Sequence, residues 1–411
     1  MTQPSDILIV GAGQAGGCAA AALRREGYAG RILLAGAEAH RPYERPPLSK
    51  AVLESAANDD GIYLHKADYH DGLGLDWHPN ATVAQIDAAN RIALMADGKK
   101  LSFDRCLIAT GGRARALPGL PADAPNVFTL RGLDDARRLR ERLAPGASVT
   151  VLGGGFLGLE FAGMARQKGL SVTVLEAGPQ ILGRAVPPLV AAWLAGRHGA
   201  AGTEIVCNAR LRGVDAGAGG VTATLEDGRV FRSDFLLVSI GQEPNVELAA
   251  AAGIALDNGI AVDARCQTSA PDVYSAGDCA SHYSNFLGKR VRLESWQNAQ
   301  EQAQVAAKAM LGLPAGYDVV PWFWSDQLGM NIQMLGMPEP DYRYLVRGDA
   351  SGEKFCVFGF GGESLRYALA VNSGGDIRPL RNLLESGAHL PPDALLDAGR
   401  PIREIVKKAL A

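Results

Sequence analysis

Two long stretches of this chain repeat one ordering of apolar and polar positions. DILIVGAGQAGGCAAAALRREG at 6–27 and SVTVLGGGFLGLEFAGMARQKG at 148–169 each start with a short apolar run. Each then passes through a glycine-rich turn into a segment with one apolar face. A short apolar run closed by glycine reads as a buried strand, and apolar residues at helical spacing after it read as a helix packed on that strand. A second short strand follows each helix, RILLAG at 31–36 and SVTVLE at 171–176. Each unit also has a later strand ending in glycine, CLIATGGRAR at 106–115 and FLLVSIGQEPN at 235–245. Strands alternating with helices predict a parallel sheet. Past residue 319 the pattern changes: YRYLVRG, KFCVFGF and LRYALAV alternate like strands, and DIRPLRNLLESG and PIREIVKKALA then take up helical spacing. The predicted class is α/β, with two copies of one strand–helix–strand unit and an α+β C-terminal domain.

The turns between strand and helix carry G-x-G-x-x-G twice, as Gly11, Gly13 and Gly16 and as Gly153, Gly155 and Gly158. The first glycine permits the tight turn, the second lets a pyrophosphate approach the backbone, and the third lets helix pack on strand. The helix N-terminus then faces the phosphates with unpaired N–H groups and the positive end of its dipole. One such motif is weak evidence in a glycine-rich chain; two, each with strand before and helix after, are strong evidence for two Rossmann-like dinucleotide-binding domains in the α/β class. An acid about 20 residues on binds the ribose hydroxyls. Glu176 ends the second copy's strand, 23 positions after Gly153, and its carboxylate favours NADH by repelling the 2′-phosphate of NADPH. In the first copy Gly36 and Ala37 precede Glu38, which takes the acid's place.

Composition narrows the setting. A chain of 411 residues is long enough for two or three domains, and a net charge of −3 gives no case for a nucleic-acid partner. The six cysteines stand no closer than thirteen residues apart, which excludes a C-x-x-C redox pair, a zinc ribbon and a plant-type iron–sulfur ligand run. No metal site is expected, and the cysteines read as reduced core residues of a cytoplasmic protein. MTQPSDILIV lacks a signal-peptide pattern, and no apolar run reaches the ~18 residues of a membrane helix, so no membrane is expected.

Six segments add specificity: RPYERPPLSK (41–50), ATGGRAR (109–115), GGGFLGLE (153–160), PDVYSAGDCA (271–280), ESWQNAQEQ (294–302) and PWFWSDQ (321–327). In this order they resemble the glutathione-reductase-like flavoproteins with two dinucleotide sites across essentially the whole chain. The likeness is greatest to the FAD-dependent, NADH-dependent ferredoxin reductases of bacterial aromatic-ring dioxygenase and cytochrome P450 systems. RPPLSK and PWFWSDQ discriminate most, because generic disulfide reductases carry neither.

The resemblance implies a set of roles. Disulfide reductases of this fold place a cysteine pair beside the flavin, whereas here it puts Lys50 there, with Glu160 as the ammonium's partner. These two are the candidate catalytic residues. The equivalent of Glu160 in the first repeat is Cys18, so the fold does not demand an acid at that position. FAD would be held by Gly11, Gly13, Gly16, Glu38, Thr110, Gly111 and Asp278. Arg45 and Arg113 would neutralise phosphates or bind the flavin's edge, and Trp296 would approach the reduced centre. NADH would be held by Gly153, Gly155, Gly158 and Glu176, with Phe156 as a gate, Arg184 at the adenosine end and Glu294 near the reduced centre. Trp322 and Trp324, two apart and therefore on one face of a strand, would line the flavin's far side.

The implied organisation is an FAD domain at 1–114 and 241–318, an NAD domain at 115–240 and a C-terminal domain at 319–411. The implied partner is a 2Fe–2S ferredoxin, Rieske-type or plant-type, feeding an oxygenase of aromatic hydrocarbon catabolism. GKRVR at 288–292 is a candidate dock for an acidic ferredoxin. The C-terminal domain, with ten basic and eleven acidic residues, shows no such bias. Rubredoxin and monodehydroascorbate reductases share nearly every motif, and a redox-signalling flavoprotein like apoptosis-inducing factor shares the fold. The sequence gives no oligomeric state.

Overall fold

The apolar run Asp6–Val10 is the middle strand of a parallel sheet, paired with Arg31–Ala35 on one side and Arg105–Ile108 on the other. Asp76–His78 and Val273–Ser275 complete its five strands. The run is continuously apolar because both faces of the sheet are covered. Ile7 and Ile9 pack with Ala19 and Leu23 of the helix Gln14–Arg25, while Leu8 and Val10 pack with Ile86 and Ile254. The helix Trp296–Met310 joins the first of these layers through Ala303, Ala306 and Ala307, small residues that let it lie close to the alanine face of Gln14–Arg25.

This computed structural model describes residues 4–121 and 124–411. They divide into two units, one made of the chain up to Pro46 with Asp60–Arg113 and Glu243–Pro321. The other comprises Pro47–Asp59, Ala114–Gln242 and Trp322–Ala411. The second unit repeats the first one's plan. Ser148–Leu152 is flanked in parallel by Ser171–Leu175 and Phe235–Val238, with Thr203–Val206 and Val127–Phe128 outermost. Its C-terminal part is a five-stranded antiparallel sheet ordered Trp322–Gln327, Met330–Gly336, Ser364–Val371, Phe355–Gly361, Arg343–Gly348. The helix Gly374–Ser386 buries Ile377, Leu380, Leu383 and Leu384, the apolar positions its spacing predicts. Among the described residues no helix is long and apolar enough to cross a membrane.

The segment Pro47–Asp59 clusters with the second unit although it falls within the span 1–114. Its hydrogen bonds explain why. Asp59 accepts from Arg140 Nη1 at 2.7 Å and from Arg137 Nε at 2.9 Å, Arg140 also donates to the Val52 carbonyl at 2.7 Å, and Lys168 Nζ donates to that of Glu54 at 3.1 Å. The Arg140 and Arg137 guanidinium groups hold the Asp59 carboxyl below its usual range. A depressed carboxyl stabilises the fold above the ordinary aspartate pKa and loses that contribution as pH falls through the folded value. Asp59→Asn is therefore expected to cost about 1–2 kcal/mol at pH 7, the worth of charge-assisted hydrogen bonds. In thermal unfolding its deficit against wild type should shrink in acid; a deficit that stays constant or grows there would contradict this.

Candidate active site

Two cradles arise from the same local chemistry. After each central strand the backbone turns through a glycine at positive φ, Gly11 at 109° and Gly153 at 103°. A Cβ on Gly11 would stand 2.2 Å from the Ala109 carbonyl oxygen, and one on Gly153 would stand 2.2 Å from that of Ser239. The third glycines are equally constrained: a Cβ on Gly16 would lie 1.9 Å from Gly11 O, and one on Gly158 would lie 2.3 Å from Gly153 O. The middle glycines differ, since a Cβ on Gly13 or Gly155 would meet nothing within 4 Å. Each caps its helix without a side-chain hydrogen bond, and neither helix has an acid in its first turn. Both cradles thus combine an open approach with an uncapped, electropositive helix end, which fits a dinucleotide pyrophosphate.

The two acids are held by different partners. Glu176 accepts from Gly154 N at 2.8 Å and Gly178 N at 2.7 Å, so the backbone holds its carboxylate against the second cradle. Glu38 accepts from Tyr43 Oη at 2.5 Å and Arg45 Nη2 at 2.8 Å. Burial works against the Arg45 charge, but Tyr43, Glu38 and Asp278 outweigh it and raise its pKa. Arg45 and Asp278 are therefore neighbours in the first unit, next to Gly277, where a Cβ would lie 3.0 Å from Ala15 Cβ. Thr110 Oγ1 donates to the Asn245 carbonyl at 2.7 Å, and Asn245 N donates to Gly111 O at 2.9 Å. Trp296 Nε1 donates to Glu44 at 3.1 Å.

Three expected ligands sit in other company. Arg113 bonds Glu247, Asn245 and Glu243 at 2.7, 2.9 and 3.1 Å, an exposed pairing that commits its guanidinium to carboxylates. Glu294 is ion-paired with Arg292. Arg184 is exposed in the turn after Leu182. The GKRVR segment is also less available than its composition suggests. Arg290 donates to the carbonyls of Ser281 and Val262, and Arg292 to that of Asp278.

The second unit gathers the remaining candidates around Glu160. Phe156, Glu160 and Gly163 lie at helical spacing on one face of Phe156–Gln167, while Phe323, Ser325 and Gln327 alternate on one face of Trp322–Gln327. These faces meet. Phe156 and Phe323 have centroids 4.7 Å apart, Gln327 Nε2 donates to Phe156 O at 3.3 Å, and Ser325 Oγ donates to Glu160 Oε1 at 2.7 Å. Glu160 also accepts from Ser49 Oγ at 2.6 Å and Asp326 N at 3.3 Å, and its side chain is 9 % exposed. Lys50 Nζ lies 3.3 Å from Glu160 Oε1 and 3.2 Å from Asp326 Oδ2, and 5.9 Å from the centroid of Trp324. Four donors thus converge on one nearly buried carboxylate. Trp322 and Trp324 occupy the opposite strand face as expected from their spacing, stacked with centroids 5.1 Å apart at 21°.

Sequence reasoning missed Tyr43, Asn245, Ser49, Ser325 and Asp326. The last three lie inside the quoted strings RPPLSK and PWFWSDQ, which was the available signal. All six cysteines are free, and burial first, then Glu44, pushes the Cys18 thiol up to about 11. Among the described residues no group of three His, Cys, Asp or Glu side chains is arranged for a metal ion.

Comparison with known proteins places this geometry in a family context. A family model described as pyridine nucleotide-disulphide oxidoreductase matches residues 5–303, and one described as reductase C-terminal matches residues 322–406. The chain is 38% identical over 383 residues to the 3-phenylpropionate/cinnamic acid dioxygenase ferredoxin–NAD(+) reductase component of Photorhabdus laumondii, covering 93% of this chain and 97% of that protein. It is 40% identical over 395 residues to the anthranilate 1,2-dioxygenase system ferredoxin–NAD(+) reductase component of Burkholderia cepacia, covering 95% and 96%. Among solved structures, the covalent putidaredoxin reductase–putidaredoxin complex matches with a TM-score of 0.96 at 33% identity over 100% of both chains.

Proposed function

Because this chain belongs to the pyridine nucleotide-disulphide oxidoreductase family, we propose that it is an FAD-containing, NADH-dependent ferredoxin reductase that supplies an oxygenase. It uses FAD and NADH, and its acceptor is a ferredoxin. The acceptor's 2Fe–2S centre is of Rieske or plant type, and the reaction runs in the cytoplasm. One observation carries the reading: the duplicated glycine cradle, each copy with an open approach at its middle glycine, and the second with the Glu176 carboxylate bonded to its backbone. The end-to-end match to two dioxygenase reductase components supports the choice of acceptor.

The chemistry supplied by bound FAD is the junction between NADH, a two-electron donor, and a one-electron acceptor. The chain's own part is binding, orientation and charge. Gly11, Gly13 and Gly16 hold one pyrophosphate, with Glu38 and Asp278 on the ribose and ribityl portions and Arg45 beside them. Gly153, Gly155 and Gly158 hold the other, with Glu176 on the adenosine ribose. Phe156, packed on Phe323, walls the nicotinamide approach. Lys50 would supply a fixed positive charge to a bound cofactor, and Glu160 would orient it. Trp322 and Trp324 exclude water from the exit side.

The test is anaerobic reduction of the yellow holoprotein, followed by addition of a plant-type ferredoxin, a Rieske-type ferredoxin and rubredoxin in turn. One ferredoxin should be reduced rapidly, and reduction of none would remove the assignment. NADH should exceed NADPH in kcat/KM by about 100-fold, because a 2′-phosphate against Glu176 costs several kcal/mol. Equal use of the two nucleotides would remove the role given to Glu176.

A further inference from the structure

Beneath the turn that carries Asp278 runs a buried chain of polar side chains that the proposed reaction does not use. Gln302, on the helix Trp296–Met310, has no exposed surface. Its Oε1 accepts from Gly277 N at 2.9 Å, and its Nε2 lies 3.2 Å from Nδ1 of His282. One helical turn earlier, Asn298 donates from Nδ2 to the Leu293 carbonyl at 2.9 Å and to Gln302 Oε1 at 3.3 Å. Its Oδ1 accepts from Tyr317 Oη at 2.9 Å. The Tyr317 ring meets the His282 imidazole edge-on, with centroids 4.8 Å apart.

Two backbone groups fix the orientation of both amides. The Gly277 N–H can only donate, so it faces the Gln302 oxygen; the Leu293 carbonyl can only accept, so Asn298 turns its NH2 group toward it. Gln302 Nε2 therefore points at His282, which must present Nδ1 as an acceptor and carry its proton on Nε2.

We propose that Gln302 is a positioning residue for the FAD site, and that neutral His282 sets its carboxamide so that the Gly277–Asp278 turn keeps its cofactor-holding shape. The inference rests on the assignment of FAD to the first cradle. Gly277 sits at φ +85° close against Ala15 of that cradle's helix, and its N–H is held by Gln302. Protonating His282 would turn its acceptor into a donor aimed at the Gln302 NH2 group. Rotating the carboxamide relieves that contact but sets its NH2 against the Gly277 N–H and the Asn298 NH2. Either way a buried donor loses its partner.

The charged groups facing His282 are Arg290 on Lys289–Val291, which opposes the added proton, and Asp318, which favours it; Tyr317 is the titratable neighbour. Burial first, then Arg290, pushes the imidazole down to about 4. The folded value lies below the ordinary one of 6.5, so the hold on FAD is complete above 6.5 and weakens as pH falls toward about 4.

The experiment follows FAD fluorescence from the holoprotein during acidification, with far-UV circular dichroism recorded in parallel. Wild type should release FAD between about pH 5 and 4, before its ellipticity falls. His282→Asn offers Oδ1 in place of Nδ1 and cannot be protonated; at pH 4.5 about a quarter of wild-type imidazoles carry the proton, so the variant should release FAD about threefold more slowly, the averaged worth of one buried hydrogen bond. Gln302→Leu should release FAD about tenfold faster than wild type at pH 7.5. Long-range proton–nitrogen spectra of the wild-type holoprotein provide a readout that needs no variant, and should show Nδ1 of His282 unprotonated at pH 7. A proton on Nδ1 at that pH, or FAD release by wild type and His282→Asn at one pH, would overturn the inference. A chain that takes up no FAD at pH 7.5 would overturn the FAD assignment itself, and this inference with it.

Discussion

Gly155→Ala should raise KM for NADH by about 10- to 100-fold with little change in Tm, and Gly13→Ala should weaken FAD retention to a similar degree. Alanine is compatible with the backbone at both sites: Gly13 has φ −83° and Gly155 φ −81°. A Cβ there touches no protein atom within 4 Å. With no described residue in its way, it would displace a ligand drawn close to the backbone. The contrasting pair, Gly16→Ala and Gly158→Ala, drives a Cβ into a carbonyl of its own turn. That should lower stability by about 1–3 kcal/mol, the usual cost of overpacking. Titration of FAD, initial-rate kinetics and calorimetry separate the two outcomes. Ordinary nucleotide affinity in both middle-glycine variants would mean that neither cradle receives a pyrophosphate.

The second large effect is expected at Glu160. Glu160→Ala strips the acceptor from Ser49, Ser325 and the Asp326 N–H together, and leaves Lys50 only the more exposed Asp326. Flavin reduction by NADH should slow by about 10- to 100-fold, the range for loss of one preorganised electrostatic contact. Glu160→Gln keeps the shape and one oxygen acceptor but removes the charge, so it should fold well and still show most of the kinetic loss. Asp326→Asn should cost far less, because that side chain is 44 % exposed and solvent screens its pairing. A double-mutant cycle with Lys50→Met decides whether the two residues act as a unit. Strictly additive losses would show that Lys50 and Glu160 act separately, and the pair would lose its proposed role.

What could be read from the sequence was local. The strand, turn and helix of each cradle follow from glycines spaced by two and three residues and from short, mostly apolar runs before them. Both signals are complete within about twenty neighbouring positions. The same holds for the shared face of Trp322 and Trp324, which needs only the two-residue period of a strand. The polar partnerships are different in kind. Ser49 meets Glu160 across 111 positions and Ser325 meets it across 165, and Asn245 reaches Thr110 across 135. No periodicity announces such a pair. Arg113 and the GKRVR arginines show the converse, since their charge was plain in the sequence while the carboxylates and carbonyls that occupy them were not. Asp326 stood in full view inside PWFWSDQ, but only the folded strand brings it to Lys50.

The chain's excursion through Pro47–Asp59 bears on how such a protein can be taken apart or recombined. The unit that holds the second cradle is assembled from three separate pieces of chain, and the shortest of them brings the ammonium. A graft that exchanged only 115–240 and 319–411 between two homologues would carry the carboxylates across and leave their lysine behind. Modular transfer of this half therefore requires the short piece to travel with the two long ones, together with the Asp59 anchor that ties it to Arg137 and Arg140.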